Sequence, residues 1–375
     1  MYKHNKISVG LDEVAVIPES PVVFSDSEVD LSIDIGNLKL SLPIISAAMD
    51  SVFSIETTNI LSNFGGHSLL NLCGLIARYK FSDYNLVYRI LLDKPELSTL
   101  QSVYNDRPID YEILDENLLT LKKSVKSNFG VSATPQVAER VFEIAINHGI
   151  NVFAIQSSFV SPFWKSEKFV GLNIIKYLNQ LQSRGCTVMV GNVASLNVAR
   201  VFVDGEIDAI IMGIGPGSIC TTRTVLGIGA GHISSIAEAR EYVETASAKT
   251  KIIADGGIQN SGEIIKLLCT GAHSVILGGM FAKTQQALFP GLHWGMSAMH
   301  KTLPRGNLQR FQIDDYNTVE RVLVGPSNVD NGVFNMIHAI KNAFSNIGVL
   351  NISDAYHKTS VLRFSGMTTE GKCKK

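Results

Sequence analysis

The stretch KIIADGGIQNSGEIIKLLCTGAHSVILGG (251–279) decides the fold class. It opens with an apolar, β-branched run that ends in Asp255-Gly256-Gly257. It continues as SGEIIKLLCTGAH (261–273), whose apolar residues recur at helical spacing and whose Ser261 is placed to cap the start. It closes on a second apolar run, SVIL, ended by Gly278-Gly279. A strand, a Gly turn, a helix and another strand in so short a span are the unit of a parallel sheet. Strands this uniformly apolar are buried on both faces, as parallel strands are.

The unit recurs along the chain. LPIIS (42–46), NVFAIQ (151–156), TVMVGNV (187–193) and AIIMGIG (209–215) read as further strands. VAERVFEIAINHG (137–149) reads as a helix stopped by Gly149. SSIAEAREYVETASAKT (234–250) and FNMIHAIKNAF (334–344) read as others. A doubly wound sheet and a closed barrel both fit this alternation. The Gly-rich turns follow many successive strands rather than one switch point. That favours an α/β fold of the TIM (β/α)8 barrel type, whose working face is built from all the strand-to-helix loops. A single domain over 1–375 is expected. Two segments break the rhythm. Residues 80–128 are polar and charge-dense, with no strong strand, and read as one or two surface helices plus a loop. Residues 289–332 are rich in Gly, Pro, Asn and Asp and read as a mobile flap or binding loop. The tail, 365–375, reads as disordered.

Composition narrows the function classes. The chain has 375 residues, 45% hydrophobic and 18% charged, so it can bury a large core and is not a disordered protein. Lys and Arg number 33 against 34 Asp and Glu, a net charge of −1, with no basic excess to attract nucleic acid or an anionic membrane. No apolar run approaches the ~18–20 residues that span a bilayer. The start, MYKHNKISVGLDEV, is too polar for a signal-peptide core. Five cysteines (Cys73, Cys186, Cys220, Cys269 and Cys373) are widely spaced and form no CxxC pair. Neither a zinc ribbon nor a disulfide framework is indicated, and a cytoplasmic location with reduced thiols is expected.

The strongest chemical signal is MGIGPGSICTTRTVLGIGAGH (212–232). It follows a buried run and surrounds Cys220 with glycines, which let backbone approach a ligand that side chains would block. A lone Cys is usually a small buried hydrophobe, and that reading applies to the other four. At the glycine-rich end of a strand, Cys220 reads instead as a nucleophile. The tandem turns at Gly256-Gly257 and Gly278-Gly279 suit a phosphate held on backbone amides, and Asp255 suits a ribose diol. Taken alone, either Gly pair would be only a tight turn. Met49, in LPIISAAMDSV (42–52), lies against a planar ligand or packs in the core, with core favoured on composition alone. Asn192, in GNVAS (191–195), binds ligand or caps the next helix.

Together these motifs resemble the IMP dehydrogenase and GMP reductase superfamily. VGLDEVAVIPES (9–20) is similar to its N-terminal signature, and GIGPGSICTTR (213–223) is close to its Cys-loop signature. LPIISAAMDSV, GNV, ADGGI and LGG fall in the family's order. LHWGMSAMHKTLPRG (292–306) is similar to the loop that contacts the purine and leads into a flap. The details look most like a compact bacterial subgroup without the paired regulatory CBS module, and 80–128 is too short to form one. The resemblance implies that Cys220 attacks C2 of inosine 5′-monophosphate (IMP), that hydride passes to NAD, and that water releases xanthosine monophosphate (XMP). It implies Thr222 as proton-transfer partner, and Ser218, Gly256, Gly257, Gly278 and Gly279 around the phosphate. Asp255 would hold the ribose, while Gly295, Met296, Ser297 and Met49 would contact the purine. Gln156, Ser157, Asn192 and Gly213 would face NAD. Carbonyls of Gly215, Gly217 and Cys220 would cradle K+. A homotetramer is implied as well.

The chain departs from the family at informative points. Gln156 stands where dehydrogenases usually place an Asp, and Ala47-Ala48 replaces Ser-Pro. The flap's water-activating Arg is either Arg305 or Arg310, the latter followed by Phe311 where a Tyr is usual. GMS (295–297) is similar to the reductases, but Ala298-Met299-His300 carries no carboxylate to donate a proton. Oxidation of IMP is therefore favoured. The alternatives are NADPH-dependent reduction of GMP, a purine-nucleotide regulator without turnover, and a flavin-dependent barrel oxidase.

Overall fold

A computed structural model of the chain describes residues 8–165, 171–295 and 306–364. Its centre is a closed barrel of eight parallel strands. In chain order these are Ile44–Ser46, His67–Asn71, Gly130–Ala133, Val152–Gln156, Thr187–Val193, Ala209–Met212, Lys251–Asp255 and Ser274–Leu277. The last strand pairs back onto the first, Val275 beside Ile44. The expected α/β barrel is therefore present. Helices lie outside the strands as anticipated: Ala138–Asn147, His232–Thr245, Ser261–Thr270 and Met336–Asn346 cover the stretches with helical spacing. Gly149 takes φ +72° just past its helix, the left-handed conformation that glycine accepts without penalty. The cap of Ser261–Thr270 is corrected by one residue. Asn260, not Ser261, is the N-cap, and its side chain accepts from the Glu263 amide.

Period-2 alternation sorts each strand into an outward and an inward row. The outward row (Ile44, Leu70, Val131, Phe153, Val190, Ile210, Ile252 and Val275 among others) packs on the helices. The inward row stacks Ile45, Leu69, Val152, Ala154, Met189, Ile211, Ile253 and Ile276 as a dry plug. A hairpin, Ile33–Ile35 with Leu38–Leu40, caps the lower end by adding Ile35 and Leu40 to that inner cluster. The inward residues one step further up are different in kind: Asn71, Ser132, Gln156, Gly213, Asp255 and Gly278. The upper rim is thus polar or bare where the middle is apolar, and the cavity opens there.

The two irregular segments join each other. Residues 80–128 hold three helices, Tyr84–Asp93, Leu97–Asn105 and Tyr111–Ser124, where one or two surface helices were expected. The third is the barrel's own helix ahead of Gly130–Ala133. The first two build a second core with the other irregular segment: Val87, Leu91, Leu100 and Tyr104 pack on Phe289, Leu292 and Trp294. Leu292–Trp294 pairs antiparallel with Leu308–Arg310. Within the expected purine loop and flap (289–332) only 296–305, including Met296, Ser297 and Arg305, lie outside the described residues, as does the tail. Among the described residues no helix is long and apolar enough to cross a membrane.

Candidate active site

A cavity of about 480 Å³ occupies the barrel mouth. Cys220, Thr222, Ser218, Met49, Gln156, Ser157, Asn192, Asp255, both Gly pairs, Gly213, Gly215, Gly217 and Gly295 all line it. Eight strand ends converge there, which is why residues so distant in sequence meet.

The Cys loop is bent back on itself. The Cys220 amide donates to the Gly217 carbonyl at 3.0 Å, which turns the thiol toward the cavity. Its Sγ donates to Thr222 Oγ1 at 3.3 Å. Cys220 is half-buried, whereas Thr222 is buried and opens a single π-turn, Thr222–Leu226. A hydroxyl held against a thiol can accept its proton in relay or hold it oriented. The loop touches the next turn directly: a Cβ on Gly257, whose φ is +74°, would lie 2.7 Å from the Pro216 carbonyl oxygen. Only glycine fits that approach.

Asp255 is the electrostatic centre. Its Oδ2 accepts from Asn192 Nδ2 at 2.7 Å and from Gln156 Nε2 at 3.0 Å. Gln156 Nε2 also donates to Asn192 Oδ1 at 3.1 Å, and Asn192 Nδ2 donates to the Gly213 carbonyl at 2.8 Å. Desolvation pushes the Asp255 carboxyl up to about 6, and the two amide donors offset only part of that rise. Such a carboxylate is short of partners, and a ligand diol would supply them. Asn192 therefore resolves toward the site; the following helix has Ser195 at its N-cap with no side-chain bond.

Gly213 serves packing as well as access. A Cβ there would lie 2.1 Å from the Asp255 carbonyl oxygen and 2.4 Å from His232 Nε2. His232 bonds that same carbonyl at 2.8 Å. Burial, with the charge of Arg223 adding to it, holds its imidazole below the usual range, so the neutral ring donates from Nε2. His232 was not singled out in the sequence, although it closes the glycine-rich stretch.

Met49 both packs and lines the cavity, with its Sδ 3.1 Å from where a Cβ on Gly278 would sit. Arg310 does not reach the cavity: it is exposed on its strand, while Gln309 beside it lines the wall. The cavity also has a second half, lined by Cys73, Arg78, Ile109, Thr134 and Gln136, none of which the motifs indicated. Cys73 is buried as expected and accepts from the Thr134 amide through Sγ at 3.3 Å. In the Cys loop, Gly215 (φ +82°) packs on the Arg223 stem. The Gly217 carbonyl keeps one lone pair beyond the Cys220 amide, so both carbonyls remain compatible with a monovalent ion. Among the described residues no cluster of three His, Cys, Asp or Glu side chains is placed to hold a metal ion.

Comparison with known proteins gives this architecture a family. The model of the IMP dehydrogenase / GMP reductase domain matches residues 8–373. An uncharacterized oxidoreductase of Mycolicibacterium smegmatis is 26% identical over 355 residues, covering 92% of this chain and 93% of that one. An inosine-5′-monophosphate dehydrogenase of Streptococcus pyogenes is 32% identical over 203 residues, 48% of this chain and 39% of its own. A crystal structure of an IMP dehydrogenase/GMP reductase-like protein from Corynebacterium glutamicum superposes with a TM-score of 0.85 at 24% identity, covering 97% of this chain and 96% of that chain. The chain belongs to the IMP dehydrogenase/GMP reductase family of oxidoreductases.

Proposed function

We propose that the protein oxidises IMP to XMP with NAD, as a cytoplasmic homotetramer. The observation that carries the reading is the placing of Cys220 Sγ, 3.3 Å from Thr222 Oγ1, in the same cavity as Asp255 and the two Gly turns. Asp255 would hold the ribose through the oxygen that its amide donors leave open. The bare turns at Gly256-Gly257 and Gly278-Gly279, with Ser218, would take the phosphate. This sets C2 of the purine over Cys220. The thiol proton passes toward Thr222 as sulfur bonds to C2. Ser157 and Gln156 face the space that NAD would fill, and NAD would supply the acceptor for the hydride that leaves C2. Hydrolysis of the resulting thioimidate frees XMP and restores the thiol, splitting one difficult oxidation into two steps. The Gly215, Gly217 and Cys220 carbonyls would hold K+ and stiffen the Cys loop.

The test is NADH formation from IMP and NAD in potassium buffer, with Cys220→Ala alongside. Signal in the wild type and at least ~10³-fold less in the variant is the expected result. Equal rates in both would sink the mechanism. NADPH consumption driven by GMP, with ammonia release, would instead establish the reductase reaction.

A further inference from the structure

The strand Leu292–Trp294 presents two faces. Leu292 and Trp294 are fully buried against the insert formed by the helices Tyr84–Asp93 and Leu97–Asn105, whereas His293, between them, points the other way and lines the cavity. His293 is 3% exposed, and its Nδ1 is 2.9 Å from Ser51 Oγ. Its Nε2 has no hydrogen-bond partner among the described residues and lies 3.8 Å from where a Cβ on Gly279 would sit. Burial, with Lys283 adding to it, pushes the imidazole down to about 4, so the ring is neutral. In the tautomer in which the Ser51 hydroxyl donates to Nδ1, the proton sits on Nε2 and faces the Gly278-Gly279 turn.

The position of this strand is set from behind. Trp294 Nε1 donates to the Tyr104 hydroxyl at 2.9 Å, and that hydroxyl donates to Asp50 Oδ2 at 2.5 Å. Asp50 also accepts from the Leu75 amide at 2.9 Å. Asp50 and Ser51 are neighbours, so one loop anchors Tyr104 with one residue and His293 with the next. Tyr88 adds a bond from its hydroxyl to the Pro290 carbonyl at 2.6 Å. The insert thus holds the strand through Trp294 and the approach to it through Pro290, while Asp50 ties Tyr104 to the loop that also carries Ser51.

We propose that Tyr104 is a positioning residue: through Asp50 and Trp294 it fixes the strand that aims His293 Nε2 at the phosphate of a bound purine nucleotide. The insert, distant in sequence from every catalytic motif, thereby sets the affinity for the phosphorylated end of the ligand. The inference rests on the purine-nucleotide reading above.

The test is a double-mutant cycle read by binding of IMP and of inosine, which lacks the phosphate, to the ligand-free enzyme. His293→Ala is expected to weaken IMP by roughly 10- to 100-fold, the worth of a hydrogen bond to a charged group. Tyr104→Phe is expected to weaken IMP less, by roughly fivefold, because it touches no ligand atom and acts only through the aim of His293. Neither should change inosine affinity by more than about twofold. In the His293→Ala background Tyr104→Phe should cost nothing further. Trp294→Phe, which removes the indole N–H from the other side, should reproduce Tyr104→Phe and serves if that variant does not fold. Multiplying effects in the double variant, an equal loss for inosine, or an unchanged IMP affinity in Tyr104→Phe would each overturn the proposal. Failure of the wild type to bind any purine monophosphate would overturn the functional reading itself.

Discussion

Asp255→Asn should make the protein more stable while removing its affinity for nucleotide. Burial lifts the carboxyl from 3.8 to about 6. At ~1.4 kcal/mol per unit, the folded chain gives up about 3 kcal/mol at neutral pH by keeping this group ionised. The direction follows from proton binding. The folded state holds the proton more tightly than the unfolded chain, so the penalty is absent below pH ~4. It grows as pH rises from ~4 to ~6 and is complete at about 7. An Asn side chain can still accept through Oδ1 from Gln156 and Asn192, and it does not titrate. For a chain of 375 residues, an unfolding entropy of about 0.8 kcal/mol/K converts 3 kcal/mol into a melting-temperature gain of about 4 °C at pH 7.5. At pH 4.5 about 1 kcal/mol remains, and the gain shrinks to about 1 °C. Thermal unfolding of the ligand-free wild type and variant at both pH values measures this, and IMP binding gives the functional side. A variant no more stable than the wild type at pH 7.5, or a gain independent of pH, would refute a carboxylate held against its own desolvation.

Gly213→Ala should destabilise by about 3 kcal/mol or more, because its Cβ would fall 2.1 Å from the Asp255 carbonyl at φ +138°; a urea midpoint like that of the wild type would contradict that packing. Gln156→Glu replaces a donor 3.0 Å from Asp255 Oδ2 with a second carboxylate, so like-charge repulsion should raise the pKa of Asp255 further. The acidic limb of the pH dependence of IMP binding should move up by about one unit, and an unmoved limb would separate Gln156 from Asp255. Removing K+ from the assay should slow turnover at saturating IMP without unfolding the chain; a melting temperature that falls with K+ removal while turnover holds would place the ion elsewhere.

Six of the eight barrel strands are legible as apolar, β-branched runs. The two that are not, His67–Asn71 and Gly130–Ala133, carry His, Ser, Asn and Gly where the pattern calls for Ile or Val. Their composition answers to neighbours across the barrel. Gly130 is bare because a Cβ there would press on Leu69 and Val152, 2.7 and 2.9 Å away. Asn71 and Ser132 are polar because they belong to the rim of the cavity. The insert hides its core for a related reason: its apolar stripes face a strand some 190 residues away, so their charged outer faces dominate a linear reading. His293 and Tyr104 escape notice on the same ground, because what they do is defined by partners and not by spacing.

The Cys loop shows the opposite case, where sequence reads well because backbone geometry does the work. Glycines mark close approaches, and close approaches mark the ligand. Gly213 illustrates how far that inference goes. Its glycine signals proximity to something, which the motif reading assigns to the cofactor, and it does line the cavity. Its nearest neighbours, however, are the Asp255 carbonyl and His232. The strand Ala209–Met212 lies between the strands of Asn192 and Asp255. A side chain at position 213 would collide with the Asp255 carbonyl and the His232 ring, just below the point where Asn192 Nδ2 reaches Asp255 Oδ2 at 2.7 Å, with Gln156 joining from one strand further round. The missing side chain is thus what lets His232 bond the Asp255 carbonyl, beneath the carboxylate oxygen that the neighbouring strands share. The uncharged Gln156 completes the arrangement, since an acid at that position would face a carboxylate that already lacks solvent. The glutamine therefore works with Asn192 to keep Asp255 ionised, while the glycine leaves room for the bond that His232 makes to its backbone carbonyl.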